Sequence, residues 1–509
     1  MRLVHRRRGR IRDPAAATVV LGAILVALAG IATFAPARAR ADVPTISARV
    51  DSSPTGQAMP PGFIGISFEY RAMHVYTGRD PGAVNPALIG LLRGLAPNQA
   101  PVLRIGGDST DVTWWPMRGV IAPGGISYDL TKGWLRTTRA LAQTLGAKLI
   151  MGINLAANRP ALAAAEARAL LQGIGRQYIQ AFEIGNEPDL YKVFAWFRDR
   201  RGHVVFTRPP SYSLNALSRE FSRWRAAMPP VPLAGPTLSS LSWMGGLGRF
   251  ISAQRRLAVV TFHRYPLRGC ISDPANPSFA SIPNLLADSS SAGLAQGVAP
   301  YVAVAHAHGL PFRLDELNSA SCTGRRGTSD TFSSALWLLD TLFNMAAVGV
   351  DGVNLHTLPG AAYEPFTFTH DAAGWHAFVH PSYYGALLFE QAFPPGAQLL
   401  PVSAPAGQLK VWATRGADGH TRVVLINKQS DTPVQVQLQM PGLAATAFAE
   451  TLSAPSLAAT DGVTLAGQTF GQRTDTGVLP GQPSGAAIGP SFGTYSVTVG
   501  PGSAVLLTF

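Results

Sequence analysis

Ala181-Phe182-Glu183-Ile184-Gly185-Asn186-Glu187-Pro188 is a short apolar run that breaks into a polar Asn-Glu pair and stops at a proline. Proline removes a ladder donor, so pairing ends there and the chain leaves the sheet. Seven runs of similar character lie around it: Phe63–Tyr70, Val102–Gly106, Lys148–Asn154, Val231–Ala234, Ala258–His263, Pro311–Asp315 and Gly352–His356. Longer amphipathic stretches separate the runs, among them Pro86–Leu95, Trp134–Leu145, Ala161–Gly173, Leu214–Met228, Pro283–His308 and Thr331–Val348. In the last of these, Phe332, Leu336, Leu339 and Phe343 share one helical face. Strand followed by helix, eight times over residues 62–393, predicts a (β/α)8 barrel, a TIM barrel of the α/β class. Strands covered on both faces read as continuous apolar runs, as these do. A doubly wound open sheet is the alternative. It loses its main support because no glycine-rich phosphate loop opens a helix.

Beyond Phe393 the pattern changes. Leu409–Ala413, Thr421–Asn427, Val434–Met440, Ala447–Leu452, Val463–Phe470, Tyr495–Val499 and Ala504–Phe509 are short strands, and Asp418-Gly419 marks a hairpin turn. Residues 394–509 are therefore expected to form an antiparallel β-sandwich. Within residues 42–61, the early strand Ile46–Val50 has no place in a barrel that begins near Phe63, and is expected to join that sandwich.

The formal charge of +13 suggests nucleic acid until it is located. Residues 1–41 hold eight arginines against one acid, Asp13, so seven of those charges lie there. The remainder forms no basic face of the kind nucleic acid needs, and no nucleic-acid partner is expected. The same segment carries an apolar run from Ala15 to Ala35 and an Ala39-Arg40-Ala41 cleavage motif. It reads as an export signal, giving a secreted or extracytoplasmic protein; membrane anchoring follows only if the segment stays uncleaved. The two cysteines, Cys270 and Cys322, are too few for a zinc or iron–sulfur framework and permit one disulfide in an exported protein.

A carboxylate at the C-terminal end of a barrel strand lies on the face where barrel active sites form. Glu187 ends the fourth run in this way, and Pro311-Phe-Arg-Leu-Asp-Glu316-Leu-Asn318 brings Glu316 to the same rim from the seventh. Two carboxyl groups facing each other across a barrel mouth suit glycoside cleavage, in which one protonates the leaving oxygen and the other attacks the anomeric carbon. Asp315 is the rival to Glu316. Strand alternation is expected to send the two to opposite sides, so that only one serves.

Phe-Glu-Ile-Gly-Asn-Glu-Pro and Asp-Glu-Leu-Asn-Ser, with Leu103-Arg104-Ile-Gly-Gly-Asp108 upstream, resemble the clan A retaining glycosidases. More narrowly the chain is similar to glycoside hydrolase family 79, the β-glucuronidases and heparanases, over most of its length after the export segment. The resemblance implies Glu187 as acid/base, Glu316 as nucleophile, net retention, no metal and no cofactor. It also implies that backbone amides and a tyrosine from the loop after strand eight, here Gly360 and Tyr363, receive a uronate carboxylate. Glycine lets backbone approach a ligand closely.

Other rim residues read more locally. Asn186 is placed to bond the sugar 2-hydroxyl, and Glu69, at the end of strand one, to accept hydroxyls of the terminal sugar. His263 and Tyr265 lie two apart at the end of strand six. Tyr265 is expected to donate to the nucleophile, and His263 to line the substrate pocket. Arg104 either pairs with Glu316, as in the clan, or makes a structural ion pair within the barrel. Cys270 follows strand six and Cys322 strand seven, on neighbouring loops within bridging range.

The expected partner is a glucuronic-acid-containing glycan or glycoside, cut from its non-reducing end. An endo-acting heparanase-like enzyme and a neutral-sugar β-glycosidase keep the mechanism. After residue 41 there are only five lysines and no basic cluster beyond short pairs, which favours exo action over a long heparan cleft. A non-catalytic carbohydrate-binding protein is the alternative from another class, and the presence of both glutamates speaks against it.

Overall fold

Eight segments with few polar interruptions pair in parallel and close on themselves. They are Ile64–Glu69, Val102–Gly106, Lys148–Ile153, Ile179–Ile184, Leu233–Leu238, Leu257–Arg264, Phe312–Leu317 and Gly352–Thr357, called here barrel strands one to eight. The computed structural model describes residues 43–509 except 441, 443 and 444, so the stretch 1–41 expected to be an export signal lies outside the described residues. Strands one, two, five, seven and eight are buried at every position, as the continuous apolar reading requires.

Helices Pro86–Gly94, Lys132–Leu145, Pro160–Ile174, Leu214–Ala227 and Phe332–Ala347 follow the predicted amphipathic stretches. The stretch Pro283–His308 is not one helix. It breaks into Ile282–Leu286, a 3-10 turn at Asp288–Ser290, Ala292–Gln296 and Ala299–Ala307. The reason is local: Pro300 sits in the first turn of the last piece, where its missing N–H is harmless, and would break a continuous helix.

The C-terminal region is two facing sheets. One has the order Val402–Ser403, Thr45–Val50, Val434–Gln439, Thr494–Val499. Its early strand pairs in parallel with Val434–Gln439, Ile46 opposite Val436 and Ala48 opposite Leu438. The other runs Gln398–Leu400, Leu409–Arg415, Thr421–Asn427, Ser503–Thr508, Ala447–Ser453, Thr464–Leu465. Gly419, with φ +83°, turns the hairpin between its second and third members. The strand expected over Val463–Phe470 shrinks to two residues. Ala466 and Gly467 both take positive φ, and Leu465 and Gln468 bond each other across the resulting turn.

The second sheet is apolar on both faces, which explains why Thr421–Asn427 does not alternate. Val423 and Leu425 enter the sandwich core, while Val424 and Ile426 join the core of the barrel. Trp412 stacks on Phe343 of the barrel helix at 5.3 Å between ring centroids, and its indole N–H donates to Asp340. Lys428 meets the same carboxylate at 2.6 Å with both side chains sealed from water. The sandwich is thus a buttress for the barrel, on the helices that follow strands seven and eight.

Candidate active site

Glu187 and Glu316 converge at the C-terminal rim. A carboxylate oxygen of each, together with a His263 ring nitrogen, lie within 4.8 Å of one another. Glu187 leaves strand four in the left-handed region, φ +47°, held by its own N–H to the Thr237 carbonyl and by its carbonyl to Leu190 N–H. A non-glycine residue there is strained, and the neighbouring Pro188 turn and strand five over-determine it.

The nucleophile candidate is gripped from both ends. Arg104 Nη1 donates to Glu316 Oε2 at 2.7 Å, and the Tyr265 hydroxyl donates to Oε1 at 2.7 Å. Arg104 is fully buried and forks further, to Glu183 at 2.8 Å and to Asn186 Oδ1 at 2.8 Å. It therefore makes both of the ion pairs weighed from the sequence. Gly106 and Gly107 clear the space: a Cβ on Gly106 would meet Arg104 Nε at 2.5 Å, and one on Gly107 would meet Glu69 at 2.2 Å.

Asp315 departs from expectation. It does not face away from Glu316, because its carboxylate lies 3.9 Å from Arg104 Nε and 3.5 Å from His263 Nε2. The pairing of strands seven and eight shifts register between Leu314 and Leu317, and that irregularity breaks the alternation. Asp315 ends up sealed beneath the rim beside Glu183, with Glu316 above.

His263 is not a pocket wall. It is buried between carboxylates, with Nδ1 at 2.9 Å from Glu187 Oε1, Nε2 at 3.1 Å from Thr237 and Nδ1 at 3.7 Å from Glu316. Burial opposes its charge, but Glu316, Glu187 and Asp315 outweigh burial and push it up to about 10. It is an imidazolium at neutral pH, oriented by three acids.

The two rim glutamates are driven apart. Burial, then the Glu316 and Asp108 charges, hold Glu187 above the usual carboxylate range against the pull of His263. For Glu316 burial is overcome by His356, His263, Arg104 and the Tyr265 hydrogen bond, which hold it far below that range. Arg104 supplies this effect at every pH; His356, itself pushed down by burial, supplies it only when protonated.

Asn186, Glu69 and Gly360 are more occupied than their sequence roles imply. Asn186 accepts from Arg104 and donates to Asp108 at 3.2 Å, so its amide is first a spacer between those two. Glu69, 2% exposed, accepts the amides of Asp108 and Ser109 at 3.0 and 2.7 Å and lies 3.7 Å from His356 Nε2. The Gly360 N–H donates to Glu364 at 2.9 Å, so the carboxylate it holds is the protein's own, four residues along the same loop. Tyr363 does reach the site, its ring 6.2 Å from that of Tyr265 and 6.0 Å from His356. Cys270 and Cys322 are bridged across the two rim loops, Cα atoms 5.7 Å apart.

Asp108 is the functional candidate that sequence reasoning left without a role. Solvent reaches its side chain, yet protein surrounds it, as on the floor of a concave site. Lost hydration, then the charges of Glu69, Glu316 and Asp111, push it up to about 7. The signal available was the double glycine before it at the end of strand two. Asp111 was also passed over: it ties Leu155, Ala156 and Asn186 N–H groups and the Tyr191 hydroxyl, fixing the loop that presents Glu187.

Two groups, Glu183/His263/Asp315 and Glu187/His263/Glu316, offer donor atoms at a spacing a cation could use. Arg104, at 2.8 Å from Glu183 and 2.7 Å from Glu316, already sets a fixed positive charge between them.

Residues 411–506 match the glycosyl hydrolase family 79 C-terminal beta domain. That stretch makes up most of the C-terminal sandwich. A curated β-glucuronidase from Neurospora crassa is 24% identical over 455 residues, 77% of each chain. Among solved structures, a 4-O-α-L-rhamnosyl-β-D-glucuronidase from Fusarium oxysporum 12S has 21% identity and a TM-score of 0.68, covering 91% of this chain and all of that one. A family 51 arabinofuranosidase from Xanthomonas axonopodis pv. citri gives 16% identity and 0.65, over 91% of this chain and 99% of its own. These folds agree with the barrel-plus-sandwich architecture. The family 79 resemblance read from the rim motifs thus extends to the terminal domain, and the chain is a glycoside hydrolase.

Proposed function

We propose that this chain is a retaining exo-β-glucuronidase that releases terminal β-linked glucuronic acid from a glycan or glycoside. The observation that carries the mechanism is the approach of Glu187 and Glu316 to within 4.8 Å with their proton affinities displaced in opposite directions. Retaining enzymes hold the two carboxyl groups about 5–5.5 Å apart, too close for a water between them. Glu316, ionised and aimed by Arg104 and Tyr265, attacks the anomeric carbon as the bond to the leaving oxygen breaks. Glu187 gives its proton to that oxygen. In the second step Glu187 takes a proton from water, whose oxygen displaces Glu316 and restores the β configuration.

The glucuronate assignment draws on the Neurospora crassa and Fusarium oxysporum relatives, both named for glucuronide cleavage. Tyr363, beside the two glutamates, is the contact offered to the uronate carboxylate. The decisive assay compares 4-nitrophenol release from the β-glucuronide with release from the β-glucoside, β-xyloside and α-L-arabinofuranoside. A preference for the glucuronide, with the β-anomer of glucuronic acid appearing first by NMR, is the expected result; a neutral-sugar preference sinks the substrate assignment and leaves the mechanism standing.

One observation favours a neutral-sugar glycosidase as the second reading. Glu364 occupies the Gly360 amide, and the cleft rim carries the ionised Glu316, so an incoming carboxylate meets negative charge unless Glu364 moves. The same four-substrate comparison separates the two.

We also place the enzyme outside the cytoplasm, with residues 1–41 as the export segment. The Cys270–Cys322 bridge supports an oxidising compartment. N-terminal sequencing of the exported protein should begin at Asp42; retention of the whole chain in the cytoplasm would refute this.

A further inference from the structure

Beneath the rim glutamates lies a second pair of acids that the proposed reaction does not use. Glu183, near the end of strand four, and Asp315, one residue before Glu316 on strand seven, are both fully buried. With His263 they hold ionisable atoms within 4.8 Å of one another. Arg104 spends Nε at 2.9 Å and Nη2 at 2.8 Å on a single oxygen of Glu183, Oε2. No N–H or O–H among the described residues completes a hydrogen bond to Glu183 Oε1 or to either oxygen of Asp315, the Thr261 hydroxyl on strand six included.

The cations and hydroxyls that face the pair are committed elsewhere. His263 Nε2 stands off from Asp315 at 3.5 Å and Arg104 Nε at 3.9 Å. Arg313, two residues earlier on strand seven, donates to Asn354 and to the Gly62 and Phe63 carbonyls, and the Tyr70 hydroxyl donates to the Gly152 carbonyl. As two carboxylates the pair would leave three acceptors sealed from water without a donor, a costly state. One proton on Asp315, donated to Glu183 Oε1, serves both groups and makes Asp315 an uncharged acid. Burial, then the Glu183 charge, hold Asp315 well above the usual carboxylate range. Against burial, Arg104 and then the hydrogen bond with Asp315 hold Glu183 below it.

That proton bears on the nucleophile through Arg104. The guanidinium serves two carboxylates at once, Glu183 and Glu316, the second at 2.7 Å from Nη1. A donor on Glu183 draws off part of its negative charge, and more of the guanidinium is then left for Glu316. His263 keeps its own proton, since Glu316 and Glu187 stand ahead of Asp315 among the groups that hold it.

We propose that Asp315 and Glu183 share one proton and act together as a positioning unit, which limits the hold of Glu183 on Arg104 and so keeps that cation on the nucleophile. The inference rests on the retaining-glycosidase reading and deepens it. Neither acid touches the substrate; both act through Arg104.

Two substitutions separate the proton from the packing. Asp315→Asn keeps shape, neutrality and a donor to Glu183, whereas Asp315→Leu keeps bulk and neutrality and loses the donor. Activity is followed on whichever 4-nitrophenyl glycoside the enzyme cleaves best. In Asp315→Asn, kcat/KM should stay within about threefold of the unaltered enzyme, with the acid limb of its pH profile unmoved. In Asp315→Leu, kcat should fall by about tenfold or more and the acid limb should move up, because Glu183 draws Arg104 from Glu316. Infrared spectra at neutral pH should show one carboxylic-acid C=O band fewer in both variants than in the unaltered enzyme. No such loss means that Asp315 is ionised, and overturns the proposal. So does an Asp315→Asn enzyme that misfolds or whose acid limb moves down, since removing a real negative charge beside Glu316 has that effect. An Asp315→Leu enzyme with an unmoved limb reduces the residue to packing and overturns it as well. The infrared measurement needs no substrate: a lost band with no glycoside cleaved removes the glycosidase reading, and the role through Arg104 with it, while the shared proton stands.

Discussion

Arg104 on strand two and Glu316 on strand seven are separated in the barrel by strands eight and one, yet meet with 2.7 Å between Nη1 and Oε2. The guanidinium is sealed from water and shared with Glu183, so it cannot swing away from the carboxylate it serves. A fixed cation at that distance is what keeps the nucleophile ionised inside a buried site.

Replacing Glu316 with Gln removes the attacking oxygen and the charge while keeping shape. Turnover of 4-nitrophenyl β-glucuronide should drop by at least about 1,000-fold, equivalent to about 4 kcal/mol of barrier. Circular dichroism and the thermal midpoint should show the fold intact. Wild-type activity in that variant would remove Glu316 from the scheme.

Glu187 should govern the alkaline side of the pH profile. Its pKa is raised, so the protonated acid survives above the usual carboxylate range; Glu316, held low, is already ionised there. The kcat/KM profile should be a bell whose acid limb, set by Glu316, lies below the usual carboxylate range and whose alkaline limb, set by Glu187, lies above it. Glu187→Gln should lose most activity on substrates with poor leaving groups and far less on 4-nitrophenyl or better ones, because these need no proton. A uniform loss across leaving groups would argue against the acid role.

Tyr265→Phe deletes one donor to Glu316 Oε1 and leaves Arg104 on Oε2. A hydrogen bond to a charged acceptor is worth about 1.5–3 kcal/mol, so kcat should fall by about 10–100-fold. The acid limb of the profile should move up, since the ionised nucleophile has lost a stabilising partner. A fall in kcat with an unmoved acid limb would mean that Tyr265 acts on the substrate instead.

Lys428→Met strands the Asp340 carboxylate between the sandwich and the helix Phe332–Ala347. Breaking a buried pair from one side costs about 3–5 kcal/mol. Urea titration should show the loss, with barrel and sandwich unfolding in one transition because Val424, Ile426 and Leu506 bind the two into a shared core. Separate transitions in the unaltered protein would contradict that coupling.

The strands, their order as barrel members and the two rim glutamates were legible because each is a local property: a run of apolar residues, a helical stripe, a carboxylate at a strand end. The broken helix at 282–307 carried its own warning in Pro300 and Gly297. Asp315 was misjudged for a reason that no residue pattern displays. Alternation holds only while the ladder keeps register, and strand seven slips where it pairs with strand eight.

By itself, then, the amino-acid order determined a strand–helix repeat, a terminal run of β-segments and the two glutamates at strand ends, since burial periodicity and chain direction decide these within a few residues. Only the tertiary structure decided which partners those acids have. His263 sits beneath the glutamates as an imidazolium, Glu69 turns to the loop amides, and Glu364 takes the Gly360 N–H. Those assignments depend on distances between residues remote in the chain, and electrostatic energy is set by such distances and by what excludes water between them.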